Sequence, residues 1–77
     1  MNAAINFVIK ANGSVKGMTE YVAERANGEL LATISPRLQF NGSYSTRFLN
    51  VCTLDGKVEI ADGIEHADEI IAAKFFN

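Results

Sequence analysis

The stretch Tyr21-Val22-Ala23-Glu24-Arg25-Ala26-Asn27-Gly28-Glu29-Leu30-Leu31-Ala32-Thr33-Ile34 decides how the rest of the chain is read. Asn-Gly at its centre reaches positive φ at low cost, as a tight turn between antiparallel strands requires. Folding back about Asn27-Gly28 sets Ala26 opposite Glu29, Arg25 opposite Leu30, Ala23 opposite Ala32 and Tyr21 opposite Ile34. One face then holds Tyr21, Ala23, Leu30, Ala32 and Ile34. The other holds Glu20, Glu24, Glu29, Thr33 and Ser35, with Val22 and Leu31 among them. Strand side chains alternate between faces, and a one-residue slip would scramble this sorting. A helix over 19–26 is the rival, because Met18, Tyr21, Val22 and Ala26 also have helical spacing. The separation of faces favours the hairpin.

Working outward, the same dipeptide type recurs at Asn12-Gly13, Asn41-Gly42, Asp55-Gly56 and Asp62-Gly63. Spacing of this kind predicts successive strands joined by hairpins. About Asp55-Gly56, Thr53 falls opposite Val58, Val51 opposite Ile60, and Leu49 opposite Asp62. Leu49, Val51, Val58 and Ile60 then face inward, and Phe48, Asn50, Cys52, Lys57, Glu59 and Ala61 face outward. About Asn41-Gly42, Leu38 falls opposite Ser45 and Phe40 opposite Ser43, with Leu38 and Phe40 inward. Pro36 has no N–H to donate, so it marks an edge position or a bulge. At Asn12-Gly13 a two-residue turn would put Ile5, Phe7 and Ile9 on the wrong face. A three-residue loop, Asn12-Gly13-Ser14, restores them and sets Phe7 near Thr19 and Ile5 near Tyr21. The other way out is that the first strand does not neighbour the second.

Toward the C-terminus the period changes. Ile64, Ala67, Ile71 and Phe75 recur at helical spacing, with Ile70 on the flank. Asp62 and Glu65 have the spacing of a capping box. Glu65, Asp68 and Glu69 lie toward the helix start and Lys74 toward its end, as the helix dipole prefers. A helix is expected from about Gly63 to Phe75. The fold class is therefore α+β: an antiparallel β-meander of four to five strands with one C-terminal α-helix packed on one face, residues 1–77 forming a single domain. The expected core is Ile5, Phe7, Ile9, Tyr21, Leu30, Ile34, Leu38, Leu49, Val51, Val58, Ile60, Ala67, Ile71 and Phe75.

The totals limit what such a domain can be. A chain of 77 residues buries only about 60–65% of its unfolded surface, so good packing or a partner subunit must support it. Cys52 is the only cysteine and His66 the only histidine, which excludes an internal disulfide and a Cys/His zinc site. Hydrophobic residues make up 48% of the chain and the net charge is −2. The first figure fits a packed core rather than disorder. The second disfavours nucleic acid, whose phosphates must be neutralised by Lys and Arg, and suits a basic protein partner. No apolar run approaches the ~20 residues of a membrane span. The segment Met1–Asn6 lacks the basic start of a signal peptide, and a lone cysteine fits a reducing compartment. A cytoplasmic location is expected.

Chemistry is hard to find in these residues. Cys52 is placed mid-strand, with no helix N-terminus to lower its pKa, and His66 falls on the polar side of a helix that covers the opposite face. A Cys–His pair needs hydrogen-bond contact. Asp62, Glu65, Asp68 and Glu69 cluster, but capping and the helix dipole account for them. The glycines are spread as turn residues, without a phosphate-binding spacing. No catalytic residue, metal ligand or cofactor is expected, and the chain is read as a non-enzyme. Single-stranded nucleic acid could stack on an open sheet face at Phe48, flanked by Arg37, Arg47 and Lys57. Glu20, Glu24 and Glu29 on the same face would repel its phosphates.

What remains is a surface. The outer sheet face carries Val8, Val22, Leu31, Phe48, Cys52 and Leu54, an apolar content that marks a protein interface when its members cluster. Beside them, Glu20, Glu24 and Glu29 form an acidic stripe on the hairpin, suited to a basic surface. The expected interface is Glu20, Val22, Glu24, Glu29, Leu31 and Phe48, meeting another protein or a second copy of the chain. In size, acidity and lack of a site the chain is similar to phage-encoded inhibitors of host defence, including anti-CRISPR proteins, and to toxin–antitoxin components and small accessory subunits. That likeness rests on general character, not on matched residues. It implies a small inhibitor that occupies a surface of a larger nucleic-acid-handling complex. The alternatives are a single-stranded nucleic-acid-binding sheet protein and a small homodimeric accessory subunit.

Overall fold

The computed structural model describes residues 7–76. It contains β1 (Phe7–Val15), β2 (Met18–Arg25), β3 (Leu30–Leu38), β4 (Tyr44–Thr53), β5 (Val58–Asp62) and α1 (Ile64–Phe76). The five strands form one antiparallel sheet in chain order, with α1 against one face. This is the expected α+β meander, and its first strand does lie beside its second. Ile5 falls outside the described residues.

Three of the four hairpins use one loop. Gly28 N–H donates to Arg25 O at 2.9 Å, and Arg25 N–H donates to Glu29 O at 2.9 Å. The same pair of bonds closes Gln39–Ser43 and Thr53–Lys57. Each is a three-residue connection in which the glycine takes positive φ, 91° at Gly28 and 86° at Gly42 and Gly56, after a type I turn. The Asn or Asp before the glycine accepts the N–H two residues on, at 2.9 Å for Asn27, 3.0 Å for Asn41 and 3.1 Å for Asp55. The expected two-residue turns are thus replaced by loops one residue longer.

That extra residue moves β5. Leu49 pairs with Ala61, Asn50 with Ile60, Val51 with Glu59 and Cys52 with Val58. Relative to the expected pairing, β5 has slipped by one and every side chain changes face. Ala61 is fully buried toward the helix, while Val58 and Ile60 are 54% and 48% exposed. Glu59, now on the helix side, meets Lys74 Nζ at 3.1 Å. Leu38 and Phe40 are exposed rather than core, because Leu38 pairs with Tyr44 at the head of the Gln39–Ser43 loop.

Bulges correct the register elsewhere. In the second hairpin, Glu24 pairs with Leu30, yet Ala23 pairs with Ala32 and Tyr21 with Ile34, as expected. The additional residue is Leu31, which the bulge turns into the core cluster, where it is 3% exposed. In β4, Pro36 pairs with Leu49 and Leu38 with Tyr44, so residues 45–48 bulge out opposite Arg37. The bulge that Pro36 signals is therefore present. The buried Ser45 hydroxyl accepts the N–H groups of Arg47 at 3.0 Å and Phe48 at 2.8 Å, donors that the broken ladder leaves over.

The first hairpin turns at Lys16-Gly17, where both residues have positive φ, 52° and 80°, as a type I′ turn requires. Asn12-Gly13 lies instead within β1 as a bulge between Ala11 and Ser14. Without that bulge Ile9 would face the outward Glu24; with it, Ile9 pairs with Ala23 and Phe7 with Arg25. Phe7 and Ile9 reach the inner face as expected, but by this route and not by proximity to Thr19.

The core lies between the sheet and α1. Ile34, Val51 and Ile71 are its largest fully buried side chains. The helix leans chiefly on β5 and less on β3 and β4, and its last residue, Phe76, stacks on Phe7 at 5.4 Å. It therefore crosses the sheet obliquely. No capping box forms: the Asp62 carboxylate is taken by Arg47, and Asp62 N–H donates to His66 Nδ1 at 2.9 Å.

Candidate functional site

The face of the sheet away from α1 is built from residues whose neighbours follow from the register. One row crosses all five strands: Lys10, Val22, Thr33, Cys52 and Val58. The next row includes Ser35, Asn50 and Ile60, and beyond it Phe48 pairs with Asp62. The two rows differ at their ends. On the β1–β2 side Lys10 Nζ meets Glu24 Oε1 at 2.9 Å, and Val22, paired with Lys10, is buried to 7% exposure. On the β4–β5 side the rows end in Cys52 beside Val58 and Asn50 beside Ile60.

On β4 and β5 this face exposes a strip in which Val58 and Ile60 are half exposed and Phe48 37% exposed; Cys52 stands beside Val58 at one end, Asn50 lies between Cys52 and Phe48, and across the sheet Val8 is exposed beside Glu24. β5 is also an edge of the sheet. The opposite edge, β1, is interrupted by its bulge and carries Lys10, both devices that blunt strand-to-strand association. β5 has no bulge and no proline, and its one lysine neighbour, Lys57, precedes it.

At one end of the strip stands a charged cluster. Arg47 makes a two-pronged contact with Asp62, Nε to Oδ1 at 2.7 Å and Nη2 to Oδ2 at 2.8 Å. The same guanidinium lies 4.9 Å from the Phe48 ring centroid. Its hydrogen bonds hold the Asp62 carboxyl below the usual carboxylate range and raise the Arg47 guanidinium. One face of Phe48 is therefore already occupied by a cation that is itself neutralised. That arrangement weakens the case for a base stacking there.

The interface residues expected from sequence scatter. Phe48 and Glu20 keep outward positions, and Val22 is outward but buried. Leu31 belongs to the core and can touch no partner in the folded chain. Glu29 sits at the helix side instead, with its Oε1 3.0 Å from Arg25 Nε, and Arg25 in turn lies over Phe76. With Glu24 held by Lys10 and Glu29 by Arg25, two of the three stripe carboxylates already have cationic partners. Leu54 is exposed, but in the Thr53–Lys57 loop near Phe75. Val58 and Ile60 were missed, because the expected register placed them inside.

Cys52 and His66 do not come together. Cys52 pairs with Val58, whereas His66 bonds to Asp62, four residues along β5 and on the helix side. Among the described residues no three His, Cys, Asp or Glu side chains are grouped to hold a metal ion. No described helix is long and apolar enough to cross a membrane. Comparison of the chain with protein families, with curated proteins and with solved structures finds no match.

Proposed function

We propose that the chain is a non-enzymatic protein-binding module whose contact surface is the outer strip Phe48–Cys52–Val58–Ile60. The observation that supports this is the clustering of three partly exposed large apolar side chains on two adjacent strands, at the β5 edge of the sheet. Isolated apolar residues are ordinary on a protein surface, but contiguous ones favour contact. The acidic balance of the chain suits a partner with a basic rim. In this reading an inhibitor of a larger nucleic-acid-handling assembly would act by covering part of it, with Glu20 on the same face as the apolar contact. A second copy of the chain is the alternative occupant, since β5 edges related by a two-fold axis would bring Ile60 against Ile60 of the other copy.

The test compares the wild-type chain with Val58→Lys/Ile60→Lys. Both are immobilised, exposed to lysate of the organism that makes the protein and washed at moderate salt, and each eluate is divided into a nuclease-treated and an untreated half. A discrete protein retained by the wild type and lost by the variant, with unchanged circular dichroism, is the expected result. Equal retention by both would remove the strip from the contact. Recovery of nucleic acid, with loss of the proteins after nuclease, would support the nucleic-acid reading instead. Light scattering across a dilution series separates self-association from a foreign partner.

A further inference from the structure

A second apolar surface lies on the other side of the sheet, beside the helix. Strands are about 4.8 Å apart, so five of them span roughly 19 Å, whereas one helix with its side chains is about 10 Å wide. A single helix cannot cover the inner face. α1 leans chiefly on β5 and less on β4 and β3, and its last residue, Phe76, reaches Phe7 of β1 and Arg25 of β2. The inner face near the β1–β2 turn is left open.

Two adjoining clefts occupy that opening. One, of about 520 Å³, lies between Ile9 and Tyr21 on the sheet and the first turns of α1. The other, of about 360 Å³, continues past Met18 and Leu49. They share Tyr21 and Ile64, so together they form one groove, apolar at Ile9, Tyr21 and Ile64 and mixed beyond, where Thr19, Ser45 and Thr46 join Met18 and Leu49. Its helix-side rim is acidic: Glu65, Asp68 and Glu69, at helical spacing, line the larger cleft. Among the described residues none of these three meets a cation within ion-pair distance, and the one cation lining the groove, Arg47, is held by Asp62.

We propose that this groove binds an amphipathic helix with a basic face, lying beside α1 over β1 and β2. Charge complementarity selects the sign, since a lysine- or arginine-bearing flank would meet three carboxylates without partners. Backbone chemistry selects the helix. An extended segment on a sheet face would leave its N–H and C=O groups unpaired, while a helix satisfies its own and presents only side chains. The α1 of a second copy is the wrong occupant, because it carries the same carboxylates.

The probe is a synthetic helix-forming peptide of about 18 residues, long enough to hold a helix, with leucine on one face and lysine on the other. Titration into the full chain, followed by amide shifts, is expected to move Ile9, Tyr21 and Ile64 and to leave Val58 and Ile60 unchanged. Affinity should fall as salt rises. It should drop at least tenfold in Glu65→Lys/Asp68→Lys/Glu69→Lys, and a version with glutamate in place of lysine should not bind. Binding that is absent at low salt, unchanged in the charge-reversed variant, equal for a lysine peptide lacking leucine, or mapped to the outer strip would overturn the proposal. A three-site variant whose circular dichroism shows unfolding is replaced by Glu65→Gln/Asp68→Asn/Glu69→Gln, for which a smaller loss in the same direction is expected. The groove and the strip lie on opposite faces, so failure of either assignment leaves the other standing.

Discussion

Replacing Ile60 with lysine, and separately Ala61 with lysine, tests the register on which both surfaces rest. Ile60 is 48% exposed and Ala61 has no exposed surface. Lysine at position 60 can lay its stem along the sheet and keep its ammonium in water, so the cost stays within about 1 kcal/mol. Lysine at position 61 must enter a filled core, which costs about 1–3 kcal/mol for volume alone. It must also bury an ammonium with no partner, at a cost of several kcal/mol more. A chain of 77 residues is expected to have roughly 4–12 kcal/mol of stability, so Ala61→Lys removes most or all of it. Urea denaturation followed by circular dichroism reads the difference. With a slope of about 1 kcal/mol per molar, the midpoint should move by at most about 1 M for Ile60→Lys and by about 3 M or more for Ala61→Lys. If the order is reversed, β5 is paired as two-residue turns would pair it, Val58 and Ile60 are core, and the strip does not exist.

Three further outcomes follow from particular contacts. Lys16 is the one described residue other than glycine with positive φ, so Lys16→Asn should stabilise the first turn by about 0.5–1 kcal/mol, read as a higher urea midpoint. Ser45→Ala strands the N–H groups of Arg47 and Phe48 and should cost about 1–3 kcal/mol, with amide exchange of those two residues accelerated. The Asp62 carboxyl is held below its ordinary range by the Arg47 hydrogen bonds; a depressed folded-state value means a contribution present above the unfolded value near 3.9 and lost as pH falls through the folded one. The stability gap between wild type and Arg47→Ala should therefore be present at neutral pH and close on acidification. A gap independent of pH would show that Arg47 acts through packing on Phe48 instead.

The class of fold was legible because its two periods are distinct: alternation through Ile34 and helical spacing from Ile64 to Phe75. Ala23–Ala32 and Tyr21–Ile34 were also found, although for an incomplete reason. The loop at Asn27-Gly28 is one residue longer than the expected turn, and the bulge at Leu31 cancels the difference. No such bulge cancels it between Val51 and Val58, and there the observed pairing lies one residue from the expected one. Apolar sorting favoured the wrong register, since it would bury Val58 and Ile60 in place of Glu59 and Ala61. The helix decides otherwise: α1 leans most heavily on β5, where Ala61 leaves room for it and Glu59 supplies a carboxylate for Lys74. A pattern of strand residues alone does not contain that tertiary demand. The turn at Lys16-Gly17 was hidden by the stronger Asn12-Gly13 signal, because glycine at positive φ serves a bulge as readily as a turn. Of the site, Phe48 and Cys52 were legible as outward residues. Leu31 was lost to a bulge, and Glu24 and Glu29 to cations that a one-dimensional reading cannot bring near.

The same slip gives the exposed strip its meaning. Had β5 paired one residue over, Val58 and Ile60 would have added to the core, and Glu59 and Ala61 would have faced water. The observed register forgoes that burial and leaves two branched apolar side chains on an outer face, beside Phe48 and Cys52. Threonine at either position would keep strand propensity and a branched shape while reducing exposed apolar surface. Stability of the monomer therefore gives no reason for valine and isoleucine there, because side chains half in water contribute only part of the burial free energy. The proposed function supplies a reason, a state in which that surface is covered. Val58→Thr/Ile60→Thr separates the two demands: it should leave the urea midpoint within about 1 M of wild type and weaken partner capture as strongly as the paired lysine substitutions weaken it. If the threonine variant instead loses stability comparable to a core truncation, about 2–5 kcal/mol, the strip serves the fold and the binding surface must be sought elsewhere.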